Sequence, residues 1–85
     1  MGWDFFPLRV KPLPAVGVGV EELRIRTEDP YRIFYVARFA EAVYVLHAFQ
    51  KKTHKTSNQD IQLGQQRYKQ MLQYRQEQQE TQSDE

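Results

Sequence analysis

All four prolines of this chain, Pro7, Pro12, Pro14 and Pro30, lie at or before position 30, and none follows Ser57. Proline locks φ and lacks an N–H, so it excludes a helix interior. Any long helix must therefore lie after Pro30, and residues 1–20 must be extended. Ser57 marks the change. Before it, apolar residues recur with period two; after it, the composition is Gln, Arg, Lys, Met and Leu, a helix-forming set.

Residues 1–20 read as an extended apolar lead-in, with a short edge strand near Phe5 to Val10 and a loosened stretch at Gly17 and Gly19. Leu23 and Ile25 share one face of a strand and Arg24 and Arg26 the other. Asp29 and Pro30 supply turn chemistry. Tyr31 to Arg38 form a second strand, with Tyr31, Ile33, Tyr35 and Ala37 on one side and Arg32, Phe34, Val36 and Arg38 on the other. Phe39 to Ala42 are a short connection, which favours an antiparallel neighbour. The third strand, near 43–49, is apolar on both faces and suits a central or well-covered position.

Ser57 and Asp60 have the spacing of a helix N-cap with an acid in the first turn. Ile61, Gly64, Tyr68, Met71, Leu72 and Arg75 then form one thin stripe, so the helix lies on the sheet from about 58 to 76. Beyond Gln76 no apolar residue remains, and 77–85 is expected to fray into a disordered acidic tail. The expected architecture is α+β: a small antiparallel sheet of about three strands (22–27, 31–38, 43–49) with a C-terminal helix. Its organisation is a lead-in over 1–20, a domain over 21–76 and a tail over 77–85.

An 85-residue chain holds one small core at most. It has no cysteine, hence no disulfide framework, and two histidines do not make a zinc site. No apolar run is long enough to span a bilayer, and Trp3 and Asp4 stand where an export signal wants lysines. A cytoplasmic protein with no membrane partner is expected. The net charge of +1 hides an asymmetry: Glu77, Glu80, Asp84 and Glu85 make the tail −4, while eight bases against Glu41 and Asp60 make residues 31–75 +6. A basic body suits a polyanion, although such charges are as often a plain solvated surface.

Catalytic patterns of other classes are missing. There is no phosphate-binding GxxxxGK[ST] or GxGxxG and no HExxH. Glu21 and Glu22 point to opposite faces of a strand and cannot act as a facing carboxylate pair. Ser57 and Ser83 are a cap and a tail residue. The arginines are more informative. Arg24, Arg26, Arg32 and Arg38 sit on two neighbouring strands, and guanidinium forks match phosphate geometry; the same spacing also describes an ordinary solvent face. Arg32 is set apart by Phe34 and Val36 on its own face, where a charge wants a partner. Lys51, Lys52 and Lys55, with His54 among them, form a basic loop between the last strand and the helix. Histidine is the side chain suited to acid–base work near neutrality, so His54 could serve as acid or base; it could as easily be a bystander. His47 reads as a packed, hydrogen-bonded strand residue sharing a face with Val43, Val45 and Phe49.

These residues resemble a known family. ELR at 22–24, YRIFYV at 31–36, VLHAFQKKTHKT at 45–56 and a helix opening with Ile61 are similar to the HigB-like, phage-derived toxins. That family belongs to the RelE/ParE superfamily of type II toxin–antitoxin systems. The resemblance covers residues 21 to about 72. It implies a ribosome-dependent mRNA endoribonuclease that acts without metal or cofactor and is held inactive by a cognate helix-turn-helix antitoxin. It carries the functional residues onto Arg24, Arg32, Lys51 and Lys52, with His54 as a further catalytic candidate. Arg26, Arg38 and Lys55 are expected to bind RNA alongside them.

The chain also departs from the family pattern. Members usually carry a first strand and a helical hairpin before ELR, whereas here 21 residues precede Glu22, three of them prolines. The family's proline after KKTHKT is Ser57, and the small residue of the last helix is Gly64. A shortened, catalytically inactive remnant that binds a protein partner or RNA is therefore the alternative expectation. A gyrase inhibitor like ParE fits the KKTHKT loop less well. Trp3, Phe5, Phe6 and Leu8 would cover part of the sheet or form a homodimer contact.

Overall fold

The computed structural model describes residues 8–50 and 55–83. Four strands, β1 (Leu8–Pro12), β2 (Val20–Ile25), β3 (Tyr31–Val36) and β4 (Tyr44–Gln50), precede one helix, α1 (Asn58–Ser83). The strands lie in the order β1-β2-β3-β4, each antiparallel to the next. The α+β expectation holds with one more strand than expected. That strand comes from the lead-in, where β1 pairs with β2 from Leu8↔Ile25 to Pro12↔Glu21. Proline is tolerated there because β1 is an edge strand. The β1–β2 connection closes through Gly19, whose φ of 79° is a left-handed conformation that favours glycine.

Alternation along the strands sets two faces. Val20, Glu22 and Arg24 of β2 and Arg32, Phe34 and Val36 of β3 share the face under α1. The core there is Val16, Val20, Phe34, Val36, Leu46 and Met71. The face carrying the strand arginines is thus the covered one. Its opposite, with Leu8, Val10, Tyr31 and Val45, is exposed.

β4 departs from the expected pattern in two ways. Among the described residues it lies at the edge of the sheet rather than at its centre, and Val45 and the preceding Val43 are more than half exposed. It also carries a bulge: Tyr35 pairs with Val45 and Phe34 with His47, leaving Leu46 as the extra residue. One inserted residue shifts every later side chain by one step. Leu46 and His47 therefore both turn toward α1, and His47 does not share a face with Val43 and Val45 as simple alternation requires.

α1 begins as its sequence dictates. The Ser57 hydroxyl accepts the Asp60 N–H at 3.1 Å and donates to the Asp60 carboxylate at 2.7 Å. Gly64 is buried against the sheet, and a Cβ there would lie 2.9 Å from the Phe34 ring and 3.2 Å from Val16. The missing side chain lets the helix seat on Phe34. Arg67 donates to the Leu46 carbonyl at the bulge (3.2 Å), and the Tyr68 hydroxyl donates to the Val18 carbonyl (2.9 Å). Farther along, Arg75 meets Glu41 at 2.7 Å and lies 3.5 Å over the Phe39 ring. The Arg75 and Tyr44 hydrogen bonds hold the Glu41 carboxyl down to about 2. The helix continues to Ser83 rather than ending near 76. Gln and Glu without proline or glycine keep a helix going after its apolar stripe has run out.

Candidate anion-binding site

Strand register builds two rows of side chains across the covered face. One row is Arg9, Arg24, Arg32 and Phe49; the next is Lys11, Glu22, Phe34 and His47. Arg24 and Arg32 are direct cross-strand partners, and like charges so placed repel unless an anion joins them. Glu22, two residues before Arg24 and hence on its face, supplies that anion. Arg24 Nε donates to Glu22 Oε1 at 2.7 Å, and Arg32 Nη1 lies 3.4 Å from Oε2. Lys11 Nζ is 3.8 Å from Oε1. Thr56, just before α1, donates to Glu22 Oε2 at 2.9 Å and accepts a hydrogen bond from Arg32 Nη1.

Burial differs sharply within the cluster. The Glu22 and Arg32 side chains are 0% and 1% exposed, whereas Arg24 keeps 28% and Lys11 50%. Burial pushes the Glu22 carboxyl up. Hydrogen bonds from Arg24 and Thr56 and the charges of Arg24 and Arg32 more than offset that, leaving it below its ordinary 4.5. The carboxylate is ionised at neutral pH. Lys11, Arg24, Arg32 and Glu22 together then carry a net +2.

A second polar pair borders the cluster. His47 Nε2 lies 2.9 Å from Asp60 Oδ1, and the imidazole stacks on Phe49 with centroids 4.6 Å apart. Burial raises the Asp60 carboxyl, and hydrogen bonds with His47 and Ser57 lower it further than that, to below 3.8. Among the described residues no three His, Asp or Glu side chains are grouped to hold a metal.

Of the sequence candidates, the fold brings Arg24 and Arg32 together. Arg26 is exposed just past the end of β2, on the Arg24 side of the sheet. Arg38 follows β3 at the end away from Arg32, where its guanidinium lies 4.4 Å over the Phe39 ring. Lys55 is exposed beside Thr56. Lys51, Lys52 and His54, and the lead-in aromatics Trp3, Phe5 and Phe6, lie outside the described residues. Lys51 directly follows Gln50, whose strand position faces Tyr31 next to Arg32.

One expectation changes in kind. Arg32, expected among the residues that act on RNA, directs its charge at Glu22 and Thr56, inside the protein. Within the Glu22 cluster, the cations that reach solvent are Lys11 and, in part, Arg24. Sequence reasoning missed Glu22, Lys11 and Thr56. An acid two residues from an arginine on one strand was the available signal for Glu22; Lys11 and Thr56 reach the cluster only through register and loop path.

The family model for the Phage derived protein Gp49-like (DUF891) family matches residues 6–69, most of the chain. No curated protein and no solved structure matches it. With the ELR and YRIFYV segments now seen as the two strands that assemble the Glu22 cluster, the chain belongs to the Gp49-like family of phage-derived proteins, a RelE/HigB-like, toxin-like family.

Proposed function

We propose that this protein is the toxin of a type II toxin–antitoxin pair and cleaves mRNA on the ribosome without a metal. The observation that carries the reading is the convergence of Arg24 and Lys11 on one partly open site, backed by the buried Arg32–Glu22 pair. In this reaction the substrate's 2′-oxygen attacks the adjacent phosphorus. A P–O bond forms to the 2′-oxygen and the bond to the 5′-oxygen breaks, leaving a cyclic phosphate and a 5′-hydroxyl. The 2′-hydroxyl proton goes to a base, and the leaving oxygen takes one from an acid; His54 is the candidate for this exchange. Arg24 and Lys11, with Lys51 and Lys52, would stabilise the charge that develops on the phosphoryl oxygens. Arg32 and Glu22 act as positioning residues that hold Arg24 in place.

The reading is tested with programmed ribosomes. The purified chain should cut bound mRNA and leave 2′,3′-cyclic ends, and Arg24→Gln with Lys11→Gln should lose that activity while remaining folded. A second reading has its own support: Glu22 already satisfies cations that a phosphate would otherwise engage, as expected of an inactive remnant that binds a partner. Absence of cleavage by the unmodified chain would favour it.

A further inference from the structure

On the side of the sheet away from α1, strand alternation gathers a second apolar surface. Register sets it out in three rows across the four strands. Leu8, Ile25 and Tyr31 form one row, which ends in Gln50. Val10, Leu23, Ile33 and Ala48 form the middle row, which is apolar throughout. The third holds Pro12, Glu21, Tyr35 and Val45, and Glu21 is the one charged side chain in the three rows. None of the apolar residues here belongs to the core under α1 or packs against it. Leu8, Val10, Tyr31 and Val45 are 46%, 52%, 44% and 63% exposed.

The exposed area of this face is on the order of 600 Å2, the upper end of what a soluble monomer carries as one apolar patch. Two such faces brought together would bury roughly 1,200 Å2, the area at which specific interfaces begin. We propose that a second copy of this chain covers the face, the two sheets stacking as a sandwich about 10 Å apart.

Charge and shape both select a copy. Arg9, Lys11, Arg24 and Arg32 all lie in the rows of the opposite face, so an acidic partner finds no cation here. A single helix about 10 Å in diameter would cover one stripe of a face that is roughly 19 Å across at four strands. A sheet of equal size covers all of it. A two-fold axis running along the strands lays β1 over the partner's β4 and β2 over the partner's β3. Leu23 then meets the partner's Ile33 at the centre. Glu21 meets the partner's Tyr35, whose hydroxyl can donate to the carboxylate, and no like charges oppose each other. This inference does not depend on RNA cleavage, because the Glu22 cluster lies on the other face and is untouched in both copies.

The test is sedimentation equilibrium of the full chain beside a double variant, Val10→Glu with Val45→Glu, which places carboxylates at two margins of the face. The parent chain should pass from one copy to two as its concentration rises. The variant should self-associate at least about tenfold more weakly, since a carboxylate buried without a partner is costly. Both positions are more than half exposed, so the fold should survive, and circular dichroism checks that it does. A mixture of isotope-labelled and unlabelled parent chain gives an independent reading should the variant fail to fold: intermolecular NOEs should join the Leu23 and Ile33 methyls. A parent chain that stays monomeric at millimolar concentration would overturn the proposal. So would a dimer indifferent to the double variant, or one whose intermolecular NOEs lie away from this face. NOEs within one chain from Trp3, Phe5 or Phe6 to Leu23 and Ile33 would overturn it as well, because they assign the face to the chain's own first residues.

Discussion

Glu22 and Arg32 form an ion pair at 3.4 Å with neither side chain more than 1% exposed. They sit on adjacent strands two residues out of direct register, so the pair runs diagonally across one face and shares its carboxylate with Arg24 and Thr56. Desolvating two charges costs several kcal/mol, and only good geometry with added hydrogen bonds offsets it. The cluster thus fixes the register of β2 against β3 and ties the loop before α1 to both.

Arg32→Ala is consequently a poor probe of activity alone. It strands a fully buried carboxylate and should cost about 3–5 kcal/mol. Replacing both partners, Glu22→Leu with Arg32→Met, should cost much less. Urea unfolding of the two single variants and the double variant measures the coupling; additive losses would show that the pair is not energetically linked.

Arg24→Gln should behave differently. Arg24 is 28% exposed, so its loss should alter stability by only about 1–2 kcal/mol. If the site acts on RNA, cleavage should fall by roughly 10²-fold or more, and RNA affinity should fall more gently with salt than for the parent chain. Parallel melting curves and cleavage assays separate the two effects.

Acid should unfold the protein in a defined window. Glu22 and Asp60 both sit below their ordinary values of 4.5 and 3.8. A depressed carboxyl binds its proton less readily folded than unfolded, so its stabilisation is complete above about pH 5 and is lost as pH falls through the folded values. The urea midpoint should be flat from neutrality to about pH 5 and then drop. Glu22→Gln should lower the plateau and flatten the drop; an unchanged acid limb would assign it to other carboxylates.

Gly64→Ala tests the seat of the helix. Alanine favours helix by about 1 kcal/mol over glycine. Here the added methyl would lie 2.9 Å from a Phe34 ring that is 0% exposed and has no room to retreat. Overpacking should win, giving a net loss of about 1–3 kcal/mol. A raised melting temperature would show that α1 lifts off the sheet at little cost.

Local chemistry alone determined several features of this protein. The prolines confined any long helix to the region after Pro30, period-two alternation marked β2 and β3, and Ser57 with Asp60 set the first turn of α1. These signals are legible because they act between residues a few positions apart. The placement of Arg24 opposite Arg32 also follows from the two strands once they pair. Tertiary structure decided the rest. Alternation cannot say which face a helix will cover, and the covered face is the one bearing Glu22, Arg24 and Arg32. Nor does it reveal the bulge at Leu46, which turns His47 toward Asp60. Lys11 and Thr56 meet Glu22 from eleven and thirty-four positions away in the chain. Strand register and the path into α1 bring them together, and no short-range pattern in the sequence encodes such a meeting.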